Sequence, residues 1–217
     1  SFILASCNDF LDREPLDSVT PDNFFFTEND LAAYAVKHYN FTTHEGFNAG
    51  IWRNDNATDN QAATDYDKKW IPGQWKVPEA YDNPASNDPW YFSAIREANY
   101  FLETVVPRFE KGEIEGSETN IKHYIGEMYF LRAKNYLSKL ETFGDFPIIK
   151  NTLPDESVSL IQASKREPRH KVARFILEDL DLAIGLLTNT ISGGKNRITK
   201  NAALLLKSRA ALYEASW

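Results

Sequence analysis

The chain has 217 residues, a formal net charge of −7 and a pI near 5.2, and its 42% hydrophobic and 25% charged residues match an ordinary globular protein long enough to bury roughly 70% of its unfolded surface. No stripe of Lys and Arg exists to replace phosphate counterions, which argues against nucleic acid; no apolar run reaches the roughly eighteen residues a membrane span needs; and the single cysteine excludes a disulfide framework or a Cys-rich metal site. The aromatic share, 13%, is high and calls for a location.

The chain opens with Phe2-Ile3-Leu4-Ala5-Ser6 ahead of Cys7. Leu-Ala-Ser-Cys resembles a bacterial lipobox, in which a signal peptide is cut before a cysteine that is then acylated; a free thiol near a frayed end is the alternative. Asn8 to Pro15 reads as an acidic tether. Thr20-Pro21-Asp22 sets a cap before a proline at the first helical position, and Thr27 with Asp30 offers a second cap ahead of Leu31, Ala35 and Tyr39, so a helix is expected over 28–40. From His44 to Asn87 the periodicity disappears, and Gly, Asn, Asp and Pro surround isolated large aromatics in a loop too long to be idle. Helical signal returns with Asp88 as a cap before Pro89, and Ile95, Ala98, Leu102 and Val105 share a face until Pro107.

Ser117 to Phe143 is the best-specified element: Ser117 as cap, Glu118 at the positive end of the helix dipole, then Gly144 and Pro147 as exit signals. Ile121, Tyr124, Ile125, Met128, Tyr129, Leu131, Ala133, Tyr136, Leu137 and Leu140 cover most of its circumference, leaving His123, Glu127, Lys134, Ser138 and Glu141 as a polar stripe. Such a wide apolar arc implies neighbours on at least two sides. Arg132 falls inside the arc, and an unpaired buried guanidinium would cost about 3–5 kcal/mol, so a carboxylate from a neighbouring helix is expected to neutralise it in a structural pair.

Asn151 to Glu167 reads as a connection, Arg169 to Leu187 as a helix through Ala173, Ile176, Leu180 and Ala183 that closes at Ser192-Gly193-Gly194, and Thr199 as the cap of a last helix with Ala202, Ala203, Leu206, Ala210 and Tyr213. An R-A-x-x-Y pattern recurs at Arg132 to Tyr136 and Arg209 to Tyr213, 77 residues apart and each on the second helix of a pair. These features together predict an all-α, tetratricopeptide-like stack of irregular helix pairs with a long aromatic-rich loop insertion. Asp179 and Asp181 are the partners proposed for Arg132 and Arg209, with solvated surface carboxylates as the alternative.

C-N-D-F-L-D-R-E-P-L-D at 7–17, W-Y-F-S-A-I-R-E-A-N-Y-F-L-E at 90–103 and G-E-M-Y-F-L-R-A-K-N-Y-L at 126–137 resemble the SusD/RagB family of outer-membrane glycan-binding lipoproteins. F-G-D-F-P at 143–147, R-E-P-R-H-K-V at 166–172, D-L-D-L-A-I at 179–184 and R-I-T-K-N-A-A at 197–203 continue the resemblance in the expected order. It implies a helical scaffold on the outside of a Gram-negative outer membrane, lipid-anchored at Cys7, and a TonB-dependent SusC-like barrel as partner. Residues 1–7 would be the end of a signal peptide with its lipobox, and 8–217 the N-terminal helical domain, without the family's C-terminal half.

No G-x-S-x-G, H-E-x-x-H, P-loop or dinucleotide turn is present, Cys7 has no plausible histidine base, and His38, His44, His123 and His170 fit no common metal spacing, so no enzyme and no cofactor is expected. Asp55-Asn56-Ala57-Thr58-Asp59, continuing to Asp65 and Asp67, offers oxygen ligands for a structural calcium but lacks the EF-hand glycine and terminal glutamate, which favours a solvated loop.

Trp52, Trp70, Trp75 and Trp90 place four of the five tryptophans in or beside the aperiodic segment. A sugar ring has an apolar face and a hydroxyl rim, so its recognition needs aromatic platforms edged by Asn, Asp and Arg. Trp70, Trp75, Tyr66 and Tyr81 are the platforms proposed here, with Arg53, Asn56, Asp59, Gln74 and Asn83 at the rim. The alternative is that tryptophans pin the loop to the helices, which is preferred for Trp52 and Trp90. The expected function is capture of a glycan for a TonB-dependent transporter, without chemistry; a peptide-binding lid and a structural protein-interaction module are the alternatives.

Overall fold

The computed structural model describes residues 24–39, 41, 71–74, 76, 89–191 and 196–217, and these form six α-helices. They are α1 (Glu28–Lys37), α2 (Ser93–Lys111), α3 (Glu118–Phe143), α4 (Ser157–Ala163), α5 (Arg169–Leu186) and α6 (Lys200–Ala215). None of them is long and apolar enough to cross a membrane.

Helix α1 starts where a capping box forms: Asp30 N–H donates to the Thr27 hydroxyl at 3.3 Å, and Thr27 N–H donates to the Asp30 carboxylate at 2.9 Å. Two departures from expectation concern α2. It starts at Ser93 without a side-chain cap, and it passes through Pro107 to end at Gly112, whose φ of 72° is the left-handed conformation a glycine adopts freely. Tertiary contacts hold the turn beyond the proline: Arg108 donates to the Phe24 carbonyl at 2.8 Å and lies 4.2 Å from the Phe26 ring, while Phe109 packs on the core.

Helix α3 has the predicted bounds for a different reason at its start. The Ser117 side chain makes no capping bond; instead the Ser117 N–H donates to the Glu28 carboxylate at 2.7 Å, so α1 supplies the negative charge at this N-terminus. A further correction concerns residues 151–167, which contain α4, a helix with no buried residue. Helix α6 begins as expected, with the Thr199 hydroxyl accepting from Ala202 N–H.

Helix α3 is the hub, packing against α1, α2, α5 and α6. Its pairing with α2 is antiparallel, since Phe92 meets Tyr136, Asn99 meets Arg132 and Phe109 lies under Lys122. The same holds for α3 with α5 (Tyr136 on Phe175, Arg132 on Asp179) and for α5 with α6 (Arg169 on Glu214, Asp181 on Lys207). Successive antiparallel pairs, α2/α3 then α5/α6, make the tetratricopeptide-like stack.

The Phe-Gly-Asp-Phe-Pro turn after α3 locks the two pairs together. Gly144 takes φ 72°, Phe146 is 1% exposed and stacks on Phe143 and Phe92 with centroids 5.4 and 5.9 Å away, and Asp145 accepts from Arg169 N–H at 2.8 Å, placing a carboxylate on the N-terminus of α5. Backbone bonds between Phe146 and Glu167 close the turn.

Candidate functional site

Arg132 lies at the junction of the two helix pairs, 6% exposed. Its Nε donates to Asp179 Oδ2 at 2.7 Å and its Nη2 to Asp179 Oδ1 at 2.8 Å, a bidentate pair, while Nη1 donates to Asn99 Oδ1 at 2.9 Å. Asn99 Nδ2 in turn donates to the Ile149 carbonyl at 2.8 Å. Tyr136 binds both backbone groups of Ile149, donating to its carbonyl at 3.1 Å and accepting from its N–H at 2.9 Å; burial pushes the Tyr136 hydroxyl up to about 12. Burial also pushes the Asp179 carboxyl above its ordinary value, against the hydrogen bonds and charge of Arg132. The cluster is closed by packing and serves to hold residues 149–151 against α2 and α3. The second proposed pair does not form: Asp181 bonds Lys207, and Arg209 is exposed without a hydrogen bond or ion pair among the described residues. Arg209 lies on a helix face that no described element covers.

A second buried charge was missed in the polar stripe of α3. His123 and Glu127 are 1% and 0% exposed, whereas Ser138 and Glu141 near the other end are exposed. Arg197, from the connection before α6, donates through Nε to Glu127 Oε1 at 2.9 Å, and Tyr39 donates to the same oxygen at 2.7 Å. Thr188 N–H donates to His123 Nδ1 at 3.2 Å, and His123 Nε2 lies 3.2 Å from Glu127 Oε1. The only sequence signal was i, i+4 spacing of His123 and Glu127 on an otherwise apolar helix; Tyr39 and Arg197 are too distant in sequence to be paired with them by pattern.

The opening that suits a ligand lies beside the first turn of α2. A cleft of about 490 Å³ is walled by Trp90, Tyr91, Phe92, Ile149, Leu153 and Leu160, with Ser93, Arg96, Asn99 and Asn151 as its polar lining. Trp90 lies 4.1 Å, centroid to centroid, from Phe143, with the Arg166 guanidinium 5.1 Å from its ring, and Phe92 stacks on Phe146. Both rings therefore belong largely to the fold, as expected of Trp90. Tyr91 is 36% exposed, and Arg96 is exposed with a side chain that makes no hydrogen bond or ion pair among the described residues. The Asn99 side-chain groups are already engaged with Arg132 and Ile149, so Ser93, Arg96 and Asn151 remain to meet a ligand's polar rim. Tyr91 and Arg96 read in sequence as a helix start, and no pattern links them to Asn151 and Leu153, because only the turn after α3 brings them together.

Trp52, Trp70, Trp75, Tyr66, Tyr81, Arg53, Asn56, Asp59, Asn83 and Cys7 lie outside the described residues, as do Asp55, Asp65 and Asp67 of the calcium reading. Gln74 is described and exposed, its N–H donating to the Ile71 carbonyl at 2.9 Å in a turn that uses Gly73 at φ 80°. Among the described residues no group of three His, Cys, Asp or Glu side chains could hold a metal ion.

Antiparallel helix pairs stacked on one long hub helix define an all-α, tetratricopeptide-like scaffold with a surface cleft. Within that class, the chain belongs to the SusD-like family described as starch-binding and associating with the outer membrane, which it matches over residues 9–212. SusD-like proteins P2 and P38 of Formosa agariphila are each 26% identical to it over 219 residues, covering 98% and 97% of this chain and 40% of each relative. A SusD-like protein of solved structure from Bacteroides fragilis NCTC 9343 is 26% identical with a TM-score of 0.63, across 93% of this chain and 38% of its own. A SusD-like carbohydrate binding protein from the same organism, at 18% identity, has a TM-score of 0.64 across 89% of this chain and 39% of its own, a likeness of fold alone. The chain therefore spans about 40% of the length of the curated relatives it matches.

Proposed function

We propose that this protein captures a glycan at the cell surface, without chemistry, and delivers it to a TonB-dependent SusC-like barrel in the outer membrane. The observation that carries the reading is the cleft beside α2, where aromatic walls meet a rim of Ser93, Arg96 and Asn151. A sugar ring laid on Tyr91 would remove on the order of 60–100 Å² of apolar surface from water, contributing about 1.5–2.5 kcal/mol before ordering costs. The free guanidinium and amide match its hydroxyls. Family membership, with its starch-binding description, supports the ligand class.

The Trp-rich segment supplies further platforms in this reading, with Trp70, Trp75, Tyr66 and Tyr81 as rings and Arg53, Asn56, Asp59 and Asn83 as rim. Two or three platforms acting together give weak binding, in the range of about millimolar to high micromolar, which suits a protein that hands its ligand on. Cys7 is the lipid anchor.

The test is calorimetry or affinity electrophoresis against a polysaccharide panel that includes starch, comparing wild type with Tyr91→Ala, Arg96→Ala, Trp70→Ala and Trp75→Ala. Loss of about tenfold in affinity for each of the first two places the cleft in the binding site. Loss confined to the tryptophan variants moves the site to the Trp-rich segment and removes the cleft. No glycan binding by wild type rejects the reading and promotes the peptide or protein-partner alternatives.

A further inference from the structure

The charge of the cleft beside α2 is one-sided. Ser93, Arg96 and Asn99 follow one another at helical spacing along the side of α2 that lines it, and Arg96 is the one charged residue among its described lining residues. The Arg96 side chain is exposed and has no hydrogen bond or ion pair among the described residues. A second exposed guanidinium, that of Arg166, stands 5.1 Å from the ring of Trp90, which walls the same cleft, and it too has no ion pair among the described residues. The carboxylates nearest in sequence to the lining, Glu103, Asp155 and Glu156, are exposed and lie outside it, and Glu103 already accepts from the N–H and the hydroxyl of Thr152.

We infer that the glycan taken by this cleft is acidic: the sugar laid on Tyr91 carries a carboxylate or a sulfate ester, and Arg96 binds it. This rests on the glycan reading above and narrows its ligand class. The hydroxyls of a neutral sugar donate as well as accept, so a site that selects them needs acceptors for their protons, whereas a guanidinium only donates. Asn99 is already engaged with Arg132 and Ile149, which leaves Ser93 and Asn151 as the side-chain acceptors of the described lining, with no carboxylate among them. A planar guanidinium matches two oxygens of one carboxylate or sulfate side by side, and such charge-assisted pairs are about twice as strong as bonds between neutral groups. The net charge of −7 disfavours polyanions in general. Attraction of an acidic glycan therefore comes from the cations at the cleft itself, since exposed charges farther away than a Debye length of roughly 8 Å are largely screened.

The experiment measures binding by calorimetry to two matched pairs of polymers, polygalacturonate with its methyl ester and a sulfated galactan with its desulfated form, and to starch. Wild type is compared with Arg96→Gln and with Tyr91→Ala, after circular dichroism has shown that the variants keep their helix content. Wild type is expected to bind the acidic member of at least one pair about tenfold more tightly than the neutral member, and to lose that preference between about 0.05 and 0.5 M salt. The pair that shows it distinguishes carboxylate from sulfate ester. Arg96→Gln is expected to bring the ratio of the two affinities to about one, and Tyr91→Ala to weaken both members. Equal or tighter binding of the neutral members or of starch, still weakened by Tyr91→Ala, overturns the acidic class and leaves the glycan reading standing. An acidic preference that survives Arg96→Gln overturns the role of Arg96. Binding of none of the five polymers overturns the inference together with the glycan reading.

Discussion

Arg132 on α3 and Asp179 on α5 form a two-pronged ion pair, at 2.7 and 2.8 Å, inside a helix junction where both side chains are almost fully buried. The pair joins the two helix pairs across 47 residues of sequence, and Asn99 extends it to the chain beyond α3. Removing either partner leaves a charge with no water to solvate it. Asp179→Asn or Arg132→Met is therefore expected to cost about 3–5 kcal/mol, read from the midpoint of urea unfolding. The double variant Arg132→Met with Asp179→Leu should recover most of that loss, because two apolar side chains leave no uncompensated charge. A double variant no more stable than the singles would show that the pair contributes more than it costs to bury.

Tyr39 donates to Glu127 and accepts from Ile198 N–H at 3.0 Å. Tyr39→Phe strips both bonds and leaves the Ile198 donor unpaired, an expected cost of about 1–3 kcal/mol in chemical unfolding. Burial and the neighbouring Glu127 carboxylate push the Tyr39 hydroxyl far up, so it stays protonated and donating throughout the physiological range. Alkaline titration followed by tyrosine absorbance would reveal any ring ionising at the ordinary value.

Gly126 lies where α3 passes the end of α5. A Cβ there would meet the Leu187 Cγ at 3.0 Å, the Leu186 Cβ at 3.1 Å and the Leu187 backbone nitrogen at 3.2 Å. Gly126→Ala would raise helix propensity, yet it is expected to destabilise by about 1–3 kcal/mol because the backbone atom cannot give way. A stabilised Gly126→Ala protein would mean that the two helices slide apart at little cost.

His38 is held below its ordinary value of 6.5 by burial, with Lys37 acting in the same direction and Glu97, 3.2 Å from its Nδ1, acting against. In the window between the folded value and 6.5 the unfolded chain binds more protons, so stability rises with pH there. The contribution is fully present above pH 6.5 and is lost as pH falls through the folded value. His38→Phe keeps a ring against Tyr34, whose centroid is 4.7 Å away, and removes the proton site. Unfolding free energy measured from pH 7.5 down to about 5 should slope less in this variant than in wild type. Identical slopes would assign the pH dependence elsewhere.

Cys7→Ser tests the proposed lipid anchor. A lipid chain contributes roughly 0.8 kcal/mol for each buried CH₂, so the variant is expected to leave the membrane fraction or to stall with its signal attached. An unchanged membrane fraction would reject acylation at this position.

Several parts of the structure were readable from local chemistry. The capping box of Thr27 and Asp30, the apolar periodicity of α3 with its exit at Gly144, and the Thr199 cap of α6 are each specified within about one turn of helix, which is the range over which sequence pattern and hydrogen bonding coincide. Pro107 misled because a missing N–H in one exposed turn costs less than the packing of Arg108 and Phe109 returns.

The buried charges divide along the same line. Arg132 could be recognised as buried because it interrupts an apolar arc, and that arc is a property of α3 alone. Glu127 sits on the side that pattern marks as polar, and only the approach of Tyr39 and Arg197 from opposite ends of the chain makes that side an interior. The cleft is similar, since Tyr91 and Arg96 are near in sequence whereas Asn151 and Leu153 reach them only after α3 turns back at Phe146. Family, helical class and the hub helix thus followed from residue order. The partners of Glu127, the openness of Arg209 and the composition of the cleft came from packing, because burial of a polar group depends on which distant segments close over it.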